Sequence, residues 1–67
     1  MKRLALVLHL LENGCELLSE SDRHSWWRHP SSNKRAALPR HPDISAPLAR
    51  KICQDFGIPL VPYTNGR

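Results

Sequence analysis

Asp22-Arg23-His24-Ser25-Trp26-Trp27-Arg28-His29-Pro30 brings imidazole, guanidinium and large aromatic surface into one short run, and no other part of the chain does so. Read as a strand over 24–29, the run alternates. His24, Trp26 and Arg28 fall on one face, and Ser25, Trp27 and His29 on the other. One face can enter a core while the other meets solvent. A histidine at a strand start, next to Arg23 and sharing its face with Arg28, is suited to moving a proton near a phosphate.

The flanking sequence predicts where this strand sits. Cys15 to Ser19 alternates modestly and carries no proline, which predicts a preceding strand, and Glu20-Ser21-Asp22 clusters turn formers. Pro30-Ser31-Ser32-Asn33 predicts the next turn, because proline cannot donate to a ladder and Ser and Asn bond their own backbone. Lys34 to Leu38 then reads as a third strand ended by Pro39, and Arg40-His41-Pro42-Asp43 as an extended basic connector.

Two helices bracket the strands. Over 2–13, Leu4, Val7, Leu8 and Leu11 recur at i, i+3, i+4, i+7 and predict the core-facing stripe, which places Leu6 and Leu10 on the solvent side, either as ordinary exposed leucines or as a docking edge. Gly14 supplies the stop. Ser45 is placed to cap a second helix with Pro47 in its first turn, and Leu48, Ala49, Ile52, Cys53 and Phe56 form its core face. Gly57 ends it, with Ile58 beyond for the contact that accompanies such a cap. The expected fold is α+β, in the order α-β-β-β-α: a three-stranded antiparallel sheet with both helices on one face. Residues 1–58 make a single domain and 59–67 a loosely held tail.

With 67 residues, the chain can bury only a small core, so any chemistry belongs at its surface and a large cofactor is not expected. Its formal net charge of +4 is regional. Between Arg23 and Pro42 there is no acid, whereas Glu12, Glu16, Glu20 and Asp22 precede that window. A basic run is often only a solvated face, but one interleaved with tryptophan also suits a polyanion. Cys15 and Cys53 make no CxxC pair, and with the histidines they show no zinc-ligand spacing. The apolar run after Met-Lys-Arg is too short to span a bilayer, and Glu12-Asn13-Gly14 lacks the small-residue pattern of a signal cleavage site. A cytoplasmic protein with no metal and no membrane partner is expected.

Several short motifs stand in a familiar order: Leu-Leu-Glu-Asn-Gly at 10–14, His24-Ser25-Trp26-Trp27, His29-Pro30, Leu38-Pro39-Arg40-His41, and Leu48-Ala49-Arg50-Lys51-Ile52-Cys53 running to Gly57-Ile58. Together they resemble the HicA-type (YcfA-like) mRNA interferase toxins of toxin-antitoxin modules, over roughly residues 4 to 58. The resemblance implies a fold like the double-stranded-RNA-binding domain and endoribonuclease activity without metal. It also implies inhibition by a HicB-like antitoxin, whose complex sets the oligomeric state, and His24 at the position of the family's catalytic histidine. That family usually carries Gly followed by Ser or Asn before this histidine, where the present chain has Asp22-Arg23. Cys15 stands where many members have Trp.

RNA carries its own nucleophile in the 2′-hydroxyl, so cleavage needs a base for that proton, an acid for the leaving oxygen and cationic help at phosphorus. An imidazole, with an ordinary pKa of about 6.5, serves in either protonation state near neutrality. His24 is therefore the candidate general acid/base. Arg23, Arg28, Lys34, Arg35 and Arg40 are candidates for phosphate contact, and Trp26 for stacking a base or anchoring the antitoxin. Trp27 stands where the resembled family has an aromatic or other large residue, which implies a core position, and His29 and His41 read as structure or phosphate contact. A non-catalytic RNA-binding module, in which the same surface binds RNA and His24 is a bystander, is the alternative.

Overall fold

The strand His24–His29 is the central strand of the sheet in this protein, which we describe from a computed structural model over residues 1–60. The elements run α1 (Arg3–Glu12), β1 (Glu16–Glu20), β2 (His24–His29), β3 (Lys34–Pro39) and α2 (Ala46–Phe56), the α-β-β-β-α order expected. The strands form one antiparallel sheet in the order β1-β2-β3. Alternation along β2 is strict where it matters: Ser25 and Trp27 are buried, and His24 and Trp26 are exposed. Trp27 retains 4% of its surface and Trp26 44%. Trp27, Leu38 of β3, Leu6 and Leu10 of α1, and Ala49, Ile52, Cys53 and Phe56 of α2 join one core, so both helices cover the same sheet face.

Turn chemistry fixes the hairpins. Asn33 takes the left-handed conformation, φ 57°, and its N–H donates to the His29 carbonyl at 2.7 Å. The β1–β2 turn is held by Ser21, whose N–H donates to the His24 carbonyl at 2.8 Å while its Oγ accepts from the His24 N–H at 3.2 Å. Neither Asp22 nor Arg23 has a positive φ. This turn therefore makes no demand that only glycine meets.

α2 follows its expected signals. Ser45 Oγ accepts from the Leu48 N–H, Gly57 sits at φ 70°, and the Ile58 N–H donates to the Cys53 carbonyl at 3.1 Å. Leu48 and Ile58 pack partly buried against the core, and Ile44, just ahead of the helix, is buried as well. β1 begins at Glu16 and runs through Glu20, one residue later at each end than the sequence predicts. A register shift between Leu17 and Ser19 leaves both Leu17 and Leu18 exposed. The tail predicted for 59–67 begins with Pro59, whose carbonyl oxygen accepts from His9 Nε2 at 2.6 Å; residues 61–67 lie outside the described residues.

The face of α1 is the main correction. Leu6 and Leu10 are fully buried, and Leu4, Leu8 and Leu11 are exposed; of the predicted stripe only Val7 packs, partly buried, against the core. Arg3, Leu6 and Leu10 share one face at i, i+3, i+7. Arg3 donates through Nε to the Pro39 carbonyl at 3.0 Å and through Nη2 to Ser25 Oγ at 2.6 Å. Leucine surrounds this helix, so periodicity alone permits more than one stripe. The arginine's anchorage on the end of the sheet accompanies the one adopted. Leu6 and Leu10 therefore form no docking edge.

One polar group in the core is unpaired: among the described residues, the buried Trp27 Nε1–H finds no acceptor. Its position is held by apolar packing. Trp27→Ala is accordingly expected to cost about 3–5 kcal/mol of stability, with Trp26→Ala nearly neutral in chemical denaturation. Equal losses for the two would contradict the assignment of faces.

Candidate functional site

The β2–β3 ladder pairs His24 with Pro39, and the Arg40 N–H donating to the Arg23 carbonyl at 3.2 Å carries the pairing one step further. The chain entering β2 and the chain leaving β3 are thereby stitched side by side. Asp22, Arg23, His24, Pro39, Arg40 and His41 line an open cleft of about 450 Å³ there. Two imidazoles, two guanidiniums and a carboxylate thus face a common space.

A network of charge-assisted hydrogen bonds underlies it. Ser25, the one fully buried polar residue among those described, accepts from Arg3 and donates through Oγ to Glu20 Oε2 at 2.8 Å. Glu20 lies 3.9 Å from Arg40 Nη1, which also donates to the Ser21 carbonyl at 3.2 Å. Helix, turn and connector are tied through one hydroxyl to the residue adjoining His24. This role of Arg3 and Ser25 was not read from the sequence. The available signal was a lone arginine in step with two leucines and a serine between aromatic neighbours.

The four histidines divide by their bonding. His9 is bonded to Pro59, and His29 directs Nε2 to the Asn13 carbonyl at 3.0 Å and stacks obliquely on Phe56 at 6.3 Å between centroids. Those rings are structural. The rings of His24 and His41 have no hydrogen-bond partner among the described residues and both residues are exposed, so each can exchange a proton with a ligand.

The candidate phosphate contacts do not all converge. Arg23 and Arg40 flank the cleft. Arg28 is engaged with Glu16, its Nε 2.8 Å from Oε2. Lys34 and Arg35 pair with His29 and Arg28 at the far end of the β2–β3 hairpin, about 15 Å from His24 at roughly 3.3 Å per residue. Alternation points them to opposite faces. Trp26 lies between: it shares the open face with His24, opposite Ser19 on β1 and Ala37 on β3. Both ladder neighbours are small, and Trp26 keeps 44% of its surface exposed.

Cys15 is buried, and burial first, then neighbouring Cys53, pushes its thiol above the ordinary range, which disfavours its thiolate. Among the described residues no group of three His, Cys, Asp or Glu side chains is arranged to hold a metal ion, and no helix is long and apolar enough to cross a membrane. No protein-family model, curated protein or solved structure matches the chain.

Ser25→Ala deletes the hydroxyl joining Arg3 to Glu20 and is expected to cost about 1 kcal/mol of stability. Double-mutant cycles with Arg3→Ala should give a non-additive pair. Additive losses would show that the two side chains act independently.

Proposed function

We propose that this chain is an endoribonuclease of the HicA toxin type, cleaving mRNA at the cleft with His24 as general acid/base and restrained by a HicB-like protein antitoxin. The observation that carries the reading is the exposed, unbonded imidazole of His24 at the start of β2, in a cleft shared with Arg23 and Arg40. The α-β-β-β-α order agrees with the fold that the resemblance implies.

The chemistry follows from the groups present. A neutral imidazole accepts the 2′-hydroxyl proton, an imidazolium returns one to the departing 5′-oxygen, and guanidiniums stabilise the charge that gathers on the phosphoryl oxygens in the transition state. Arg23 and Arg40 serve that last purpose directly. Lys34 and Arg35 hold more distant phosphates, and Trp26 stacks an unpaired base beside the scissile bond. Arg28, already paired with Glu16, contributes less than its position suggests. The proton transfers belong to side chains in this mechanism.

Expression without a partner is expected to arrest growth and degrade mRNA, and His24→Ala, a change at an exposed position, to abolish both while the thermal transition is unchanged. Purified protein should cleave RNA in EDTA. A folded His24→Ala protein that still cleaves removes His24 from the chemistry. A wild-type protein that binds RNA without cutting it indicates the RNA-binding module instead.

Affinity for a single strand should weaken with salt, each neutralised phosphate contributing about −0.7 to the slope of log K against log salt. Neutralising Lys34 and Arg35 together should flatten that slope with little change in the rate constant for bound RNA. An unaltered slope would show that they do not touch the backbone of the RNA.

A further inference from the structure

Cleavage by transfer to the 2′-oxygen moves two protons, one from the nucleophile and one to the leaving group, and a lone histidine must carry both or leave one to water. The cleft holds a second imidazole. His41 lies two residues beyond Pro39, the ladder partner of His24, on the connector that the Arg40–Arg23 backbone bond holds beside the β2 entrance. Its ring, like that of His24, is exposed and has no partner among the described residues, whereas His9 and His29 are both engaged. The charged groups facing these two rings are Asp22, Arg23 and Arg40, with Glu20 behind Arg40.

We infer that His41 is the second catalytic residue of this cleft, forming with His24 an acid-base pair that acts on a single RNA phosphodiester. The inference rests on the reading of the cleft as a ribonuclease site. In the step, one neutral imidazole takes the 2′-hydroxyl proton as the 2′-oxygen bonds to phosphorus. The bond from phosphorus to the 5′-oxygen breaks, and the other ring, protonated, delivers its proton to that oxygen. The products are a 2′,3′-cyclic phosphate and a 5′-hydroxyl. One ring ends protonated and the other neutral, and exchange with water resets them. Arg23 and Arg40 remain charged throughout.

This division of labour has a signature that a structural or binding role lacks. A pair needing one neutral and one protonated ring gives a bell-shaped dependence of kcat/KM on pH, and removal of either ring strips one limb. The experiment compares wild type, His24→Gln and His41→Gln on a short RNA and on the same RNA with sulfur replacing the bridging 5′-oxygen. A thiolate leaves without a proton donor. His41→Gln is expected to slow cleavage of the ordinary RNA by about 10²- to 10⁴-fold and to lose one limb of the bell, with His24→Gln losing the other. The sulfur substrate should restore only the variant that lacks the acid. His41→Gln with the wild-type bell intact, or with a raised KM and unchanged kcat, overturns the inference and leaves His24 acting without it. A wild-type protein that makes no cyclic phosphate overturns the reading of the cleft itself and the pair with it. Both substitutions are at exposed positions, and matching thermal transitions establish that the variants are folded.

Discussion

Two tryptophans adjacent in the chain cannot both be buried by a sheet covered on one face, and which one enters the core settles the orientation of everything attached to β2. Trp27 lies beneath the helices, with Ser25 beside it holding Arg3 and Glu20. Slipping β2 by one residue would bury His24 and Trp26 and expose Trp27, exchanging core and candidate site at a stroke. Burial of a large indole and loss of a fully satisfied buried hydroxyl both oppose that slip. The exposure of His24 is thus a consequence of what lies on the opposite side of its strand.

The same alternation distributes the basic residues. A count of charge along the sequence shows one acid-free window, but in three dimensions it divides into Arg23 and Arg40 at the cleft, Arg28 neutralised by Glu16, and Lys34 and Arg35 at the other end of the hairpin. Proximity to His24 separates cations that can stabilise a transition state from those that can only hold a strand of RNA in register.

Strand positions and the limits of α2 were legible because each rests on a local rule: proline and asparagine in the β2–β3 turn, serine and glycine at the ends of the helix, alternation through β2. Alternation also sets the two tryptophans on opposite faces, but it does not say which face is core; that Trp27 is the core one comes from the match of its position to the resembled family. The face of α1 was not legible. Its leucines satisfy helical periodicity in more than one direction, and the buried stripe begins with an arginine, which hydropathy counts as solvent-facing. The joining of His41 to His24 was hidden by 16 intervening residues (25 through 40). It follows only from the hairpin register, which sets Pro39 opposite His24 and carries the connector alongside the turn. Asp22-Arg23, where glycine would be usual for the resembled family, is accommodated without a positive φ, in a turn that Ser21 holds.

Side-chain NMR during titration with a short RNA bearing 2′-O-methyl groups, which can bind but offers no nucleophile, tests most directly that the cleft is where RNA meets the proton-transfer groups. The imidazole resonances of His24 and His41 and the indole N–H of Trp26 should shift together and saturate at one concentration. Those of His9, His29 and Trp27 should stay in place. Shifts confined to Lys34, Arg35 and the far end of the hairpin, with both cleft imidazoles unmoved, would contradict the account.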